Sequence, residues 1–175
     1  MAAQTLYTYL DFLKSVSLFD GLTVDQIKKM IQSMKLMKVN AGQKITDEGA
    51  REDTVFILID GEVEISKRLM LPIWGNDREH QAKSLLRLTG DDHAFFGEMA
   101  LFQEVPERSA SIESLKPCRL AVIEKKDLLA ICDKDPQIGS IIFRNIAGEL
   151  TRRLVKANKD ILKLTTAFSL ALEGD

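Results

Sequence analysis

Thr54-Val55-Phe56-Ile57-Leu58-Ile59-Asp60-Gly61-Glu62-Val63-Glu64-Ile65-Ser66-Lys67 is the stretch on which the fold turns. Five of its first six residues are β-branched or aromatic, and from Val63 to Lys67 apolar and polar residues alternate at the period of a strand. Asp60-Gly61 between two such runs is a hairpin signal. Outward from it, Val39 to about Ile123 keeps the same character. Ser84-Leu85-Leu86-Arg87-Leu88 and Cys118-Arg119-Leu120-Ala121-Val122-Ile123 are further strand-like runs. Gly42, Gly49, Gly61, Gly75, Gly90 and Gly97, six of the chain's ten glycines, fall between them. Short strands with turn residues between them predict an antiparallel β-roll or jelly roll (a double-stranded β-helix), not a βαβ sheet. The stretch Leu71 to Gln81, with Pro72, Gly75, Asn76 and Asp77, reads as a long exposed hairpin loop.

Helical patterns flank this core, giving a mainly β chain in three parts: 1–38, 39–123 and 124–175. In the first, Thr23 and Gln26 form a capping box, with Leu22 and Ile27 placed as its hydrophobic staple. After that cap, Ile27, Met30, Ile31, Met34 and Met37 recur at helical steps, and Met is a common gap-filler on a buried face. In the last part, Lys125 to Asp133 predicts a short helix. Pro136 then starts a long one running towards Leu172. Along it Phe143, Leu150, Ala157, Leu164 and Ala171 interleave with Ala147, Leu154, Ile161 and Phe168. That is a heptad seam, and it predicts pairing with a second copy through the distal half at least.

Composition narrows the function. With 175 residues, 45% hydrophobic and 29% charged, the chain has the make-up of an ordinary globular domain. A net charge of −2 speaks against a general polyanion binder. The basic run Arg152, Arg153, Lys156, Lys159, Lys163 lies beside the heptad seam, where long cationic side chains cover helix interfaces, so no direct DNA contact is expected. No run reaches the roughly 18 apolar residues of a membrane span, and the N-terminus lacks the basic start of a secretory signal. Two cysteines, Cys118 and Cys132, and two histidines, His80 and His93, are too few and too scattered for a disulfide framework or a zinc enzyme. A cytoplasmic, non-enzymatic protein without a metal or resident cofactor is the expectation. A cupin-type metal enzyme lacks its paired histidines, and no Ser or Cys has an evident His base for hydrolysis.

Phe95-Phe96-Gly97-Glu98-Met99-Ala100-Leu101-Phe102, followed by Glu107-Arg108-Ser109-Ala110-Ser111, is where chemistry concentrates. Gly97 permits a tight backbone approach, and a helical turn starting at Glu98 would present free N–H groups to an anion. The planar fork of Arg108 matches two phosphate oxygens, and Ser109 adds a hydroxyl. Glu98 is left to accept from a neutral hydroxyl. Together they suit a sugar–phosphate ligand, although a Glu and an Arg ten apart can equally form a plain salt bridge.

Phe96-Gly97-Glu98-Met99-Ala100-Leu101 with Arg108-Ser109-Ala110 resembles the phosphate-binding cassette of the cyclic nucleotide-binding domain family. The form Leu101-Phe102-Gln103-Glu104 with Glu107-Arg108-Ser109-Ala110 looks most like the bacterial cyclic AMP receptor branch. Ala41-Gly42-Gln43-Lys44-Ile45, Glu48-Gly49 and Phe56–Val63 follow the family's first half. The resemblance runs from roughly Leu18 to Leu164. It implies a non-enzymatic sensor binding cAMP, or cGMP as the other candidate. Arg108, Ser109, Ala110 and the turn Gly97-Glu98-Met99-Ala100 would hold the cyclic phosphate. Within that turn, Glu98 would accept from the ribose 2′-hydroxyl. Ile65, Leu85 and Leu88 would wall the base, and Asn158 on the long helix would read its edge. Ligand binding would re-dock the C-terminal helices, with a homodimer and an unidentified output protein as partners. The chain departs from the pattern in a longer turn Gly90–Phe96 and a long loop at Leu71–Gln81. It also has no room after the long helix for the DNA-binding domain of the transcription factors in this family. The alternative is a degenerate fold kept as a dimerising or scaffolding module.

Overall fold

In the computed structural model, which describes residues 6–68 and 82–173, strand β3 (Thr54–Asp60) is covered on both faces. Phe56 and Leu58 enter one apolar cluster together with Val39, Val63, Phe96, Ile112 and Leu120. Val55, Ile57 and Ile59 enter a second, made with the flanking helices. A strand buried on both sides has no polar face, which is why its sequence is continuously apolar instead of alternating.

The remaining strands are β1 (Lys35–Val39), β2 (Lys44–Thr46), β4 (Glu62–Arg68), β5 (Ala82–Thr89), β6 (Phe95–Phe96), β7 (Ser111–Ser114) and β8 (Cys118–Glu124). They form two four-stranded antiparallel sheets, ordered β1-β8-β3-β6 and β2-β7-β4-β5. Side chains of both sheets share the inner cluster, so the architecture is the expected β-roll.

Two sequence expectations fail locally. Asp60-Gly61 does not close a hairpin, because β3 and β4 lie in different sheets. β3 finds its partners in β8 and β6, and Gly61 carries the chain across to the second sheet with φ 98°. The hairpin of this region is β4–β5. The loop expected over Leu71–Gln81 falls outside the described residues. The helical stripe also ends sooner than its spacing suggests. Helix α2 (Val24–Gln32) stops at Gln32, and β1 pairs with β8 from Lys35 onward, ahead of the boundary at 39. Met34 is core, but Met37 sits on a strand against the inner cluster.

The capping box forms as expected. The Gln26 N–H donates to Thr23 Oγ1 at 3.3 Å, and the Thr23 N–H donates to Gln26 Oε1 at 2.9 Å. Before α2 lie the short helix α1 (Leu10–Lys14) and a 3-10 turn at Ser17–Phe19. After β8 come α3 (Lys125–Lys134) and α4 (Pro136–Glu173). Ile138, Ile142 and Ile146 of α4 complete the outer cluster, while from Leu154 to Leu172 every residue is exposed. Among the described residues no helix is long and apolar enough to cross a membrane.

Gly61 and Gly42 separate two costs of replacing glycine. A Cβ at Gly61 would sit 2.5 Å from the Pro117 carbonyl oxygen and 2.6 Å from Cys118 Sγ, whereas at Gly42 (φ 75°) nothing lies within 4 Å. Gly42→Ala is expected to lose about 1–2 kcal/mol from backbone conformation alone. Gly61→Ala adds overpacking and is expected to lose about 2–4 kcal/mol, read from urea midpoints.

Candidate functional site

Strand β6 pairs with β3, and the chain then turns through Gly97 (φ 85°) into a 3-10 helix at Glu98–Phe102. The left-handed conformation favours glycine, and space demands it. A Cβ there would lie 2.5 Å from the Thr54 carbonyl oxygen and 2.6 Å from Arg108 Nη1. The turn therefore lies directly on β3 and against the Arg108 guanidinium.

Arg108 is 6% exposed and held on several sides. Its N–H donates to the Ala50 carbonyl (2.9 Å), and its own carbonyl accepts from the Gly49 N–H (2.8 Å). Nε faces Glu52 Oε2 at 3.3 Å, a carboxylate oxygen that also accepts from Thr46 Oγ1 at 2.8 Å. The guanidinium lies over the Phe56 ring, 5.2 Å from its centroid, and Nη1 points at the Gly97 carbonyl at 3.5 Å. Nη2 is buried and has no hydrogen-bond partner among the described residues.

Glu98 is 1% exposed. Its Oε1 accepts from Arg153 Nη1 at 2.8 Å, and Arg153 Nη2 donates to the Phe95 carbonyl at 2.8 Å. Arg153 Nε reaches Glu149 at 2.8 Å. The second carboxylate oxygen of Glu98, Oε2, is buried without a partner. Burial pushes the Glu98 carboxyl above its ordinary 4.5, and Arg153 pulls it back only partly.

Gly97, Glu98, Met99, Arg108, Ser109, Ala110 and Ile65 converge on one cavity of about 120 Å³, together with Arg153. Ala100 is buried behind it, its N–H donating to the Gly97 carbonyl at 3.3 Å. Ser109 Oγ lies 3.8 Å from Met99 Sδ. Leu88 lines a second cavity, of about 300 Å³, which has Arg153 as a wall in common with the first. Leu85 and Asn158 are exposed and line neither. A larger cavity, about 550 Å³ between α2 and α3, is crossed by the Lys29–Asp135 ion pair. Volume does not mark the site. Of three buried side-chain polar atoms without a hydrogen bond among the described residues, two, Arg108 Nη2 and Glu98 Oε2, belong to the lining of the smallest of these cavities, and the third is Gln103 Oε1.

Arg153 and Glu52 are site residues that sequence reasoning passes over. For Arg153 a signal exists: Ile138, Ile142, Ile146 and Leu150 form the packed face of α4, and the next position on that face is Arg153. A cation continuing a buried stripe needs an anion beneath it.

The roll, its flanking helices, and a buried Arg and a buried Glu beside a glycine turn define the class. Residues 36–135 match the family model of the cyclic nucleotide-binding domain, and the chain belongs to that family. It is 29% identical over 158 residues to a candidate potassium channel protein of Rhodopseudomonas palustris, covering 90% of this chain and 34% of that one. It is 28% identical to the cAMP-activated global transcriptional regulator of Pasteurella multocida over 66% of this chain and 49% of that protein. The chain thus spans half or less of these relatives. Among solved structures, a cyclic nucleotide-binding domain from Methylobacillus flagellatus has the same fold. Its TM-score is 0.74 at 19% identity, covering 91% of this chain and 84% of that one. The Thermus thermophilus catabolite activator protein gives 0.70 at 23%, over 85% and 63%.

Glu98→Gln separates ligand recognition from stability. A carboxyl whose folded pKa is raised contributes stability below its unfolded value, and loses it as pH rises through the folded one. The Glu98 charge is therefore a net cost near neutrality, while Arg153, its side chain 38% exposed, keeps Glu149 and water. Without ligand, Glu98→Gln is expected to be at least as stable as wild type at neutral pH. Wild type should lose ground to it as pH rises above 4.5, read from urea titrations across pH.

Proposed function

We propose that this chain is a non-enzymatic cyclic nucleotide sensor, with cAMP as its ligand. The observation that carries this is that Arg108 Nη2 and Glu98 Oε2, both buried without a hydrogen-bond partner among the described residues, belong to side chains lining one small cavity. A cyclic phosphate meets the first as a charge-assisted hydrogen-bond acceptor, and a ribose 2′-hydroxyl donates to the second. Ser109, held only by a weak contact to Met99 sulfur, turns its hydroxyl to the phosphate. The base extends past Ile65 towards the Leu88 side, and Asn158 lies outside the cavity in the protomer.

Because Glu98 also holds Arg153, the ligand and helix α4 share one carboxylate. A nucleotide that binds one arrangement of Arg153 better than another shifts α4 between two dockings. The exposed Leu154 and Ile161 (both 61%), Leu164 and Phe168 lie on the heptad seam, and pairing with a second copy covers them. The output is delivered to a partner protein through these helices.

Calorimetric titration of cAMP and then cGMP, into protein refolded to strip bound nucleotide, tests the ligand. Saturable binding is expected, with cAMP tighter. Arg108→Ala is expected to cost roughly 2–5 kcal/mol of it. Binding unchanged in Arg108→Ala would remove this site. A folded protein that binds neither nucleotide would leave a dimerising scaffold. Leu154→Glu with Ile161→Glu is expected to halve the mass seen by light scattering, and an unchanged dimer mass would count against pairing through α4.

A further inference from the structure

The cassette helix Glu98–Phe102 is held at its start by Arg153 of α4, and a second cation holds its other end. Lys125, the first residue of α3, directs Nζ at the carbonyl of Ala100 (3.4 Å) and at that of Gln103 (3.3 Å). These belong to the last turn of the 3-10 helix and the residue after it, where unpaired carbonyls collect negative partial charge and favour a cation. The backbone of Lys125 is itself anchored: its N–H donates to the Asp53 carbonyl at 2.9 Å, next to Thr54, on whose carbonyl Gly97 rests. Beyond it α3 packs closely on α4, with Gly139 so near Cys132 that a Cβ would lie 3.0 Å from the Cys132 Cβ. Phe102 at the end of the cassette helix also meets Phe143 of α4, ring to ring at 6.1 Å.

On the basis of the nucleotide-sensing role proposed above, we infer that Lys125 is a positioning residue that ties the end of the cassette helix to α3. Movement of the cassette on ligand binding is thereby passed to the α3–α4 pair at a point separate from the Glu98–Arg153 contact. Lys125 does not line the Glu98–Arg108 cavity. It fixes where the cassette stands relative to the helices, and so decides whether α3 follows the cassette or stays behind.

The test is amide hydrogen exchange on the full chain as wild type, Lys125→Met and Lys125→Arg, each with and without saturating cAMP. Met keeps the apolar stem and removes the donors, whereas Arg restores them. Without nucleotide, Lys125→Met is expected to speed exchange at the amides of residues 100–104 by about fivefold or more, and Lys125→Arg to return it to the wild-type rate. With cAMP, the protection change over residues 126–134 is expected to fall to less than half of wild type in Lys125→Met, while the calorimetric Kd for cAMP moves by less than the loss in Arg108→Ala. Equal exchange at residues 100–104 in wild type and Lys125→Met overturns the tether. So does a wild-type response of 126–134 to cAMP in that variant. If wild type binds no cyclic nucleotide, the sensing role fails, and the nucleotide-free comparison still decides the Lys125 tether.

Discussion

Double-sided burial of β3 is the constraint from which the other arrangements follow. Because neither face meets water, the strand must have a sheet partner on each edge, an apolar roll interior on one side and helices on the other. The candidate site is built on the same strand. Its Thr54 carbonyl lies beneath Gly97, and its Phe56 ring lies beneath the Arg108 guanidinium. The Gly97 turn thus stands on a strand enclosed on both faces, and holding a buried guanidinium and carboxylate in place requires that rigidity.

The site trades stability for readiness. Glu98 and Arg108 are both taken out of water, yet each keeps one polar atom unpaired. Neither is neutralised by the other. Glu98 is satisfied on one side by Arg153 from α4, and Arg108 by Glu52 from the loop before β3. Partial satisfaction of this kind is costly in a closed core, and natural proteins keep it where something else completes it. The cation on Glu98 comes from α4, the helix whose far half is exposed.

Much of this was legible in the sequence, and the exceptions share a cause. The Thr23–Gln26 cap, the β runs, the short α3 and the start of α4 at Pro136 are local patterns, fixed by residues within a few positions of one another. The grouping of Gly97, Glu98 and Arg108 was legible too, because the motif spans adjacent elements. Asp60-Gly61 was misread because a two-residue turn looks the same whether the next strand returns to its own sheet or crosses to the other. Met37 was misplaced because a helical step cannot show that strand pairing takes over at Lys35. Arg153 and Glu52 were missed since their partners lie 55 and 56 residues away. The spacing along α4 marks Arg153 as a cation on a packed face, but no local pattern names Glu98 as its partner, and none marks Glu52.

Helix α4 runs from Pro136 to Glu173 without interruption, and every residue from Leu154 to Leu172 is exposed. Among the described residues Arg153 is the last of α4 to bond across to the roll, so under the proposed re-docking the remainder is a lever arm counted from there. At about 1.5 Å of rise per residue, its roughly 20 free residues make an arm of about 30 Å. A tilt of about 5° at that point would displace the far end by about 2.6 Å, at right angles to the helix axis. Half a turn of helix rise is a displacement a packed interface registers. The length of the exposed arm is therefore a mechanical gain: any tilt at Arg153 would grow in proportion to it on the way to the tip.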